Sequence, residues 1–383
     1  MPRHTVIPKT FFEHILDHEA RAKKAQAEDG VIMDPVLDPT LKVFLEVARK
    51  RGTKDFLFAY EVFDIMRVLW PHLRSLPDKL MLVTFRCWTH LANFDLHGRH
   101  TFHVSPQLVE ALQKTDLRGV SGKDLRLPFP AIQICWGTPV RHISDPITKE
   151  HFPLDTVLVY QVDTRKALEE GPLEFFSREE DRMVTLRSGE DLEKYLDLKP
   201  GEGVQTFGLL FAGHKPGDPL DDAWFDGTSI VKDSDDLGSR LLYNINLAEL
   251  PQEDKDALQE NLELVLNTVL YINSNGADVE RIWSPTRIGT WRKRKDVPVG
   301  LTRHDSKLPY HRVGGRIQIR QHAPSDGGEA SGRKIGVRHW VRGFWRNQAF
   351  GPGWKEHKLI WVQPFERGPE LAEAIHRDYD VKL

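Results

Sequence analysis

Apolar side chains between residues 56 and 69 recur mostly at three- and four-residue steps, the spacing of a buried helical face. Residues 11–27 and 80–91 are also predicted to be helical. A shorter helix is predicted over residues 105–113, because Ser105 is a good N-cap and Pro106 suits the first turn. We therefore expect a mostly helical N-terminal region, residues 1–120.

The pattern changes near residue 120, where short β-favouring runs bounded by Pro, Gly and Asp begin. These runs are residues 131–136, 157–162, 183–186 and 205–211. Residues 252–272 form the clearest helical pattern of the chain, and residues 273–276 are expected to end that helix. The predicted fold class is α+β, with a mixed middle region at 121–280 and a basic, aromatic-rich, β-containing C-terminal domain at 281–383.

The net charge of −3 conceals a strong segregation of charge along the chain. Residues 1–280 contain 32 Lys and Arg against 46 Asp and Glu, whereas residues 281–358 contain 18 against 5. Such a basic segment on an acidic chain attracts polyanions, either phosphate backbones or the protein's own acidic region. The imbalance therefore favours a polyanionic partner such as RNA, with a contact to the protein's own acidic region or a merely solvated face as the alternatives.

The most informative stretch runs from residue 338 to residue 363. Read as a strand with period two, one face presents Arg338, Trp340, Arg342, Phe344 and Arg346, and the other presents His339, Val341, Gly343 and Trp345. The first face can grip RNA or single-stranded DNA, with guanidinium groups on phosphates and rings on bases. Alternatively, the same side chains can lock together by cation–π contacts in a purely structural sheet. A tight turn at 349–353 is expected to return 358–363 as an antiparallel partner.

The candidate nucleic-acid-binding side chains belong to this stretch and to two further basic segments. The segment 316–320 is predicted to be a half-buried strand preceded by a glycine turn, and 292–295 is a run of cations. The full set is Arg292, Lys293, Arg294, Lys295, Arg316, Arg320, Arg338, Trp340, Arg342, Phe344, Trp345, Arg346, Gln348 and Lys358.

Catalytic chemistry is only weakly indicated by the sequence. Metal-independent cleavage of RNA needs a base, an acid and a cation at the phosphate, for which His339 and His357 are candidates, but no spacing selects one pair. Histidines at 97, 100 and 103 have the three-residue spacing that could bind zinc from one face of a helix. Gly98 disfavours a helix, however, and no thiolate lies beside them, so a polar loop is the favoured interpretation. The motifs of common nucleotide-dependent enzymes and hydrolases are absent, so we expect no metal and no cofactor.

The chain also lacks the signals of export and membrane insertion. Its two cysteines cannot form a disulfide framework, no apolar run approaches about 18 residues, and the first residues do not read as a secretory signal. We expect a cytoplasmic protein with no membrane partner.

Residues 337–368 resemble a C-terminal signature of proteins carried by phages, plasmids and other mobile elements. The resemblance consists of H-x-V-R-G-[HF]-W-R-x-Q, a Gly-rich turn and K-x-I-W-[IV]-x-P-[FY]. The matching positions in its first part are His339, Val341, Arg342, Gly343, Trp345, Arg346 and Gln348. A looser likeness covers residues 127–131 and 266–275. Phe344 stands where many relatives have His, which weakens any catalytic role carried over through this position.

This signature is similar to that of the type V-A anti-CRISPR proteins, which suppress production of the type V-A effector nuclease. The resemblance implies recognition of the nuclease's emerging N-terminal polypeptide and loss of its messenger RNA. It therefore predicts a regulatory binding protein, with RNA or ribosome contacts through the C-terminal domain. The alternatives are a metal-independent ribonuclease and a general RNA-binding protein.

Overall fold

The computed structural model describes residues 88–136, 141–144, 151–177, 182–215, 218–238, 252–282, 310–317 and 339–367, with scattered positions between 44 and 68. Several predicted features lie outside these residues or only partly within them. They are the helix at 11–27, the first part of the helix at 80–91, Arg292, Lys293, Arg294, Lys295, Arg320 and Arg338, and the side chains of His339 and Trp340.

A large mixed sheet forms the centre of the described part of the chain, in the order β10-β11-β1-β3-β5-β8-β9, with β4 paired to β5. Its strands are β1 (His100–Val104), β3 (Ala131–Cys135), β4 (Arg141–Ser144), β5 (His151–Asp163), β8 (Val204–Lys215), β9 (Asp218–Lys232), β10 (Val279–Ile282) and β11 (Tyr310–Val313). The strand β1 runs parallel to β3 and β11, whereas β5, β8 and β9 form an antiparallel meander. The predicted strands at 131–136, 157–162 and 205–211 are thus confirmed as parts of β3, β5 and β8.

Within the described residues, three smaller sheets accompany this main sheet. The pair β6 (Leu173–Ser177) and β7 (Arg182–Leu186) is antiparallel, as is the pair β12 (His339–Val341) and β15 (Phe365–Arg367). The third sheet has the order β14-β13-β2, with strands β2 (Thr115–Asp116), β13 (Gly343–Phe350) and β14 (Glu356–Val362). Here β13 and β14 form the predicted antiparallel hairpin, and β13 also runs parallel to β2.

Four helices have described bounds: α1 (Pro106–Gln113), α2 (Thr164–Glu170), α3 (Gly189–Leu196) and α4 (Gln252–Asn273). Residues 88–96 are helical as well. The Ser105 side chain caps α1 by accepting a hydrogen bond from the Leu108 N–H, as predicted. Gly276, with φ +91°, lies in the turn after α4, in agreement with the predicted termination.

Successive side chains of a strand point to opposite faces of a sheet, and both faces of the main sheet carry apolar side chains that pack into a core. Val157 and Val159 of β5 pack into the larger core with α1 and α4, while Leu158 packs into a second core with side chains of the helical N-terminal residues. The larger core also contains Trp345 of β13, so α4 is covered by the main sheet and by the C-terminal hairpin. The fold is therefore α+β, as predicted, and α4 is the element that positions the hairpin.

Candidate nucleic-acid interface

The C-terminal hairpin has two distinct faces, which its register defines. Cross-strand pairs run from Phe344 opposite Val362 to Phe350 opposite Glu356. Directly opposed residues share a face, so Trp345 and Trp361 lie together on one side, which we call the inward face. Phe344, Val362 and the pairs two residues further along lie on the other side, the outward face. The period-two alternation predicted from the sequence therefore holds along β13.

The inward face is attached to the core by hydrogen bonds of its two indoles. Trp345 is buried, and its Nε1–H donates to Asn267 Oδ1 of α4 at 2.8 Å. The Asn267 amide in turn donates to the backbone oxygens of Leu112 and Thr115 at 3.3 and 3.1 Å. Trp361 donates to Thr115 Oγ1 at 3.1 Å. Because buried polar groups need such partners, this network fixes the hairpin against α4 and β2.

These contacts correct one expectation about the site. Trp345 was predicted among the nucleic-acid-binding side chains, but its indole is 7% exposed and engaged with Asn267. Trp361 is half-buried and packs edge-on against Tyr271, with ring centroids 5.2 Å apart. The tryptophans of the paired strands therefore serve packing, and the exposed chemistry of the hairpin belongs to other side chains.

The outward face carries two cations between two aromatic rings, with the carboxylate of Glu356 opposite the second ring. Phe344 is 38% exposed, and Arg346 is exposed two residues further along β13. Gln348 lies opposite Lys358, whose Nζ is 5.2 Å from the centroid of the Phe350 ring. This is the arrangement that binds single-stranded nucleic acid in other proteins, with ammonium and guanidinium groups on phosphates and rings against bases.

An ionised carboxylate lies at the base of the hairpin. Asp116 of β2 is opposite Phe344, and it accepts hydrogen bonds from the backbone N–H of Arg118 at 2.9 Å and from Arg118 Nε at 2.6 Å. Burial raises the pKa of Asp116, but the hydrogen bonds and charge of Arg118, together with the charge of Arg342, outweigh it and lower the pKa below its ordinary value. Arg342 is exposed at this end of the hairpin, and its positive charge contributes to the lowered pKa of Asp116.

The tip of the hairpin contributes a residue that the sequence analysis did not select. Trp354 is 69% exposed and has φ +57°, in the left-handed region that bulky residues rarely adopt. It follows Gly351 and Gly353, which also have positive φ, and its N–H donates to the Gly351 oxygen at 3.2 Å. The Gly-Pro-Gly sequence before it was the available signal, because such turns place the next side chain at a surface tip.

A groove of about 610 Å³ lies where β14 ends, beside the C-terminal turn of α4. Tyr271, Trp361 and Val362 give it apolar walls, and Asp278 and Arg316 give it opposite charges. Val362 is also the cross-strand neighbour of Phe344, so the groove and the outward face meet at the base of the hairpin. The mixed lining suits a ligand with both apolar and charged groups.

Arg316 belongs to this groove and not to a strand. The segment from residue 316 was predicted to be a strand, but β11 ends at Val313 and a turn follows, with Gly314 at φ +71°. In that turn the Arg316 N–H donates to Asp278 Oδ2 at 2.6 Å, and Arg316 Nε lies 4.0 Å from Asp278 Oδ1. The predicted glycine turn is therefore confirmed, while the strand prediction for Arg316 is wrong, because the chain turns back toward the end of α4.

The candidate catalytic histidines remain a prediction. His357 is exposed on β14, opposite Ala349, whereas the backbone of His339 belongs to the separate sheet β12–β15. Incubation of the purified protein with RNA in EDTA tests the ribonuclease hypothesis, which intact RNA would exclude.

Of the histidines at 97, 100 and 103, His100 and His103 lie in β1 and contact aromatic rings, so the segment expected to be a polar loop is partly a strand. The His100 ring is parallel to that of Phe129, with centroids 3.4 Å apart, and His311 stacks on Phe102. Burial, reinforced by His311, Arg281 and His97, lowers the pKa of His100 to about 4.

Within the residues that the structure describes, no three His, Cys, Asp or Glu side chains are grouped to hold a metal ion. In that same part of the chain, no helix is long and apolar enough to cross a membrane.

Comparison with known proteins adds one strong match. A family model described as AcrVA2-like, the anti-CRISPR type V subtype A2 family, matches residues 102–365. No curated protein matches the chain. Among solved structures, the crystal structure of AcrVA2 is 12% identical, with 92% of this chain and 98% of that chain covered and a TM-score of 0.41. The family match includes the main sheet from Phe102 onward, α4 and the C-terminal hairpin.

Proposed function

The chain belongs to the AcrVA2-like family of type V anti-CRISPR proteins, and from this premise we propose that it suppresses production of a type V-A effector nuclease. In this proposal the protein recognises the emerging N-terminal polypeptide of the nuclease and promotes loss of its messenger RNA. The C-terminal hairpin contacts RNA at or near the ribosome. The observation that carries the RNA half is the outward face, where Arg346 and Lys358 lie between Phe344 and Phe350.

The difference between the two faces, one packed on the core and the other accessible to solvent, supports this role. The indoles of Trp345 and Trp361 donate hydrogen bonds to Asn267 and Thr115, so they hold the strands in place. On the opposite face, Arg346 is exposed and Lys358 is partly exposed. Each Arg or Lys that neutralises a phosphate releases condensed counterions, which makes binding favourable and strongly dependent on salt. Phe344 adds a ring against which a base can stack without selecting its identity.

The groove at the end of β14 is the proposed seat of the polypeptide. In the described part of the chain, β14 pairs only with β13, so its other edge can receive an extended peptide as an added strand. Tyr271 and Trp361 offer apolar surface for one side chain of such a peptide, and the Asp278–Arg316 pair offers charges to its polar groups. Because Val362 joins the groove to the outward face, peptide and RNA would be held side by side.

The RNA half is tested by the salt dependence of binding to a labelled single-stranded RNA. The double variant Arg346→Gln, Lys358→Gln should bind more weakly and reduce the slope of log affinity against log salt by roughly 1.4, about 0.7 for each lost phosphate contact. The matched control is Lys194→Gln, Lys199→Gln, which removes two exposed cations of and beside α3 and should leave the slope unchanged. Equal slopes for the two double variants would contradict the proposal.

The polypeptide half is tested by calorimetry with a synthetic peptide of the nuclease N-terminus. Arg316→Ala should weaken binding, because it removes one charged wall of the groove. Arg312→Ala is the control, since that exposed side chain pairs with Glu280 on a neighbouring strand and does not line the groove. In bacteria that express the nuclease, loss of its messenger RNA should follow peptide binding. Unchanged messenger levels with the wild-type protein would overturn the proposed mechanism.

A further inference from the structure

The tip of the C-terminal hairpin has a structure that the proposed phosphate contacts do not require. Residues 351–357 are all exposed, and Trp354 presents 69% of its surface to solvent, although indoles are normally buried. Its left-handed backbone is an unfavourable conformation for a bulky residue, so local structure must hold it there. The fold therefore keeps the Trp354 ring exposed to solvent and does not bury it.

Local contacts make the tip a defined turn. Gly351 and Gly353 adopt φ +77° and +68°, and a Cβ at Gly351 would lie 3.2 Å from the Glu356 side chain. The Trp354 N–H closes the turn on the Gly351 oxygen. On the strand side, Lys358 covers the Phe350 ring, and seven cross-strand pairs connect the tip to the base anchored on α4. Trp354 is thus carried at the end of a supported two-stranded arm.

The surroundings of this indole are those of a nucleic-acid contact. Pro352, Gly353 and Lys355 flank it, and the nearest paired residues of the arm bring Lys358 and, further along, Arg346. A tryptophan that anchors a protein interface is typically surrounded by other apolar side chains, whereas this one is set among small and charged residues, with Lys355 and Glu356 directly after it. Positive charge beside an exposed π-face complements a base with its phosphate.

We propose that Trp354 is a base-stacking residue, which takes an unpaired nucleobase at the end of an RNA strand path that runs along the outward face. This inference rests on the proposed function, because it assigns the kind of RNA that the hairpin binds. In a duplex the faces of the bases are covered by their neighbours, whereas in a single strand they are accessible to an aromatic ring. The hairpin should therefore select single-stranded over double-stranded RNA.

The test compares a labelled RNA oligonucleotide, alone and annealed to its complement, against the full-length protein. Trp354→Ala should lower affinity for the single strand roughly 5- to 100-fold, the effect of losing one base–aromatic stack, and leave duplex affinity unchanged. Trp354→Phe should restore most of the loss, because it retains a ring. Val68→Ala is the control, since it trims another exposed apolar side chain, 62% exposed, far along the sequence.

The outcomes separate this inference from the proposed function. If Trp354→Ala binds the single strand like the wild type while Arg346→Gln, Lys358→Gln still lowers the salt slope, the stacking role is wrong and the phosphate contacts stand. Equal losses for single strand and duplex, or lost suppression of the nuclease with RNA affinity intact, would also overturn it, the latter in favour of a protein contact. If neither variant changes RNA binding, the RNA half of the proposed function fails as well.

Discussion

Two tryptophans of one hairpin, Trp345 and Trp354, have the same side chain but differ in their exposure to solvent and in their hydrogen-bond partners. Trp345 is 7% exposed and donates to Asn267 of α4, whereas Trp354 is 69% exposed and has backbone turn contacts alone among its described hydrogen bonds. The first joins the hairpin to the core, and the second is displayed at its far end. The comparison shows that the number of aromatic residues in this segment does not distinguish a packing residue from an exposed one. The contacts of each ring in the folded structure make that distinction.

The largest effect that tests this contrast is expected for Trp345→Ala. Removing a buried indole leaves a cavity, so the free energy of unfolding should fall by about 3–5 kcal/mol. Trp354→Ala, by comparison, should change it by no more than about 0.5 kcal/mol, since its ring is in water. Urea denaturation of both variants measures the difference. Similar losses for the two would show that the tip is packed and would break the comparison.

A smaller loss is expected at the partner of Trp345. In Asn267→Ala the indole N–H and the carbonyl oxygens of Leu112 and Thr115 lose their hydrogen-bond partner inside the core. Leaving such a group unsatisfied costs about 1–3 kcal/mol, which urea denaturation should detect. The control is Asn347→Ala, because that amide is exposed on the same hairpin. A loss below the control's would mean that Trp345 is held by packing alone.

Substitutions on the outward face should change the free energy of unfolding only slightly. Phe344→Ala is expected to change the free energy of unfolding by about 0.5 kcal/mol or less, because the ring is already partly in solvent. Its affinity for single-stranded RNA should fall nonetheless, by removal of a stacking surface. The two measurements together sharpen the contrast between faces. Destabilisation comparable to that of Asn267→Ala would favour the structural interpretation of the cation–aromatic pattern.

The smallest effect concerns the carboxylate at the base of the hairpin. Because the pKa of Asp116 is lowered in the fold, the ionised carboxylate stabilises the protein above its ordinary pKa, and this stabilisation is lost as pH falls through the lowered value. Arg118→Ala should raise the pKa of Asp116, and Arg342→Gln should raise it less, since Arg342 contributes charge alone. Carboxyl carbon shifts in an NMR pH titration report both. A larger rise for Arg342→Gln would reverse the assigned order.

The outcome at the hairpin shows how far local patterns reach. The alternation along β13, the Gly-rich turn and the return strand were all predictable, because strand periodicity and turn chemistry depend on neighbouring residues. The burial of Trp345 was not predictable, because a strand pattern separates two faces without saying which one is covered. That decision depends on Asn267, 78 residues earlier in the chain.

The groove illustrates a second kind of limit. Its walls come from the end of α4, the turn after β11 and the end of β14, which are far apart along the chain. Gly314 signalled the turn, but nothing in the sequence placed Arg316 beside Asp278 or Trp361. Concave sites of this kind arise from the packing of elements that are distant in sequence, so the hydrophobic periodicity of the sequence cannot predict them.

By itself the sequence determined the α+β class, the capped helix α1, the long helix α4, strands within β3, β5, β7 and β8, and a hairpin with a basic, aromatic face. These features depend on hydrophobic period, caps and turns, whose energies are set within a few residues. Tertiary structure alone decided the order of the mixed sheet, which face of the hairpin rests on α4, and that Trp345 is buried while Trp354 is displayed. Burial and hydrogen-bond satisfaction are properties of the whole packed chain, so only the folded arrangement could assign them.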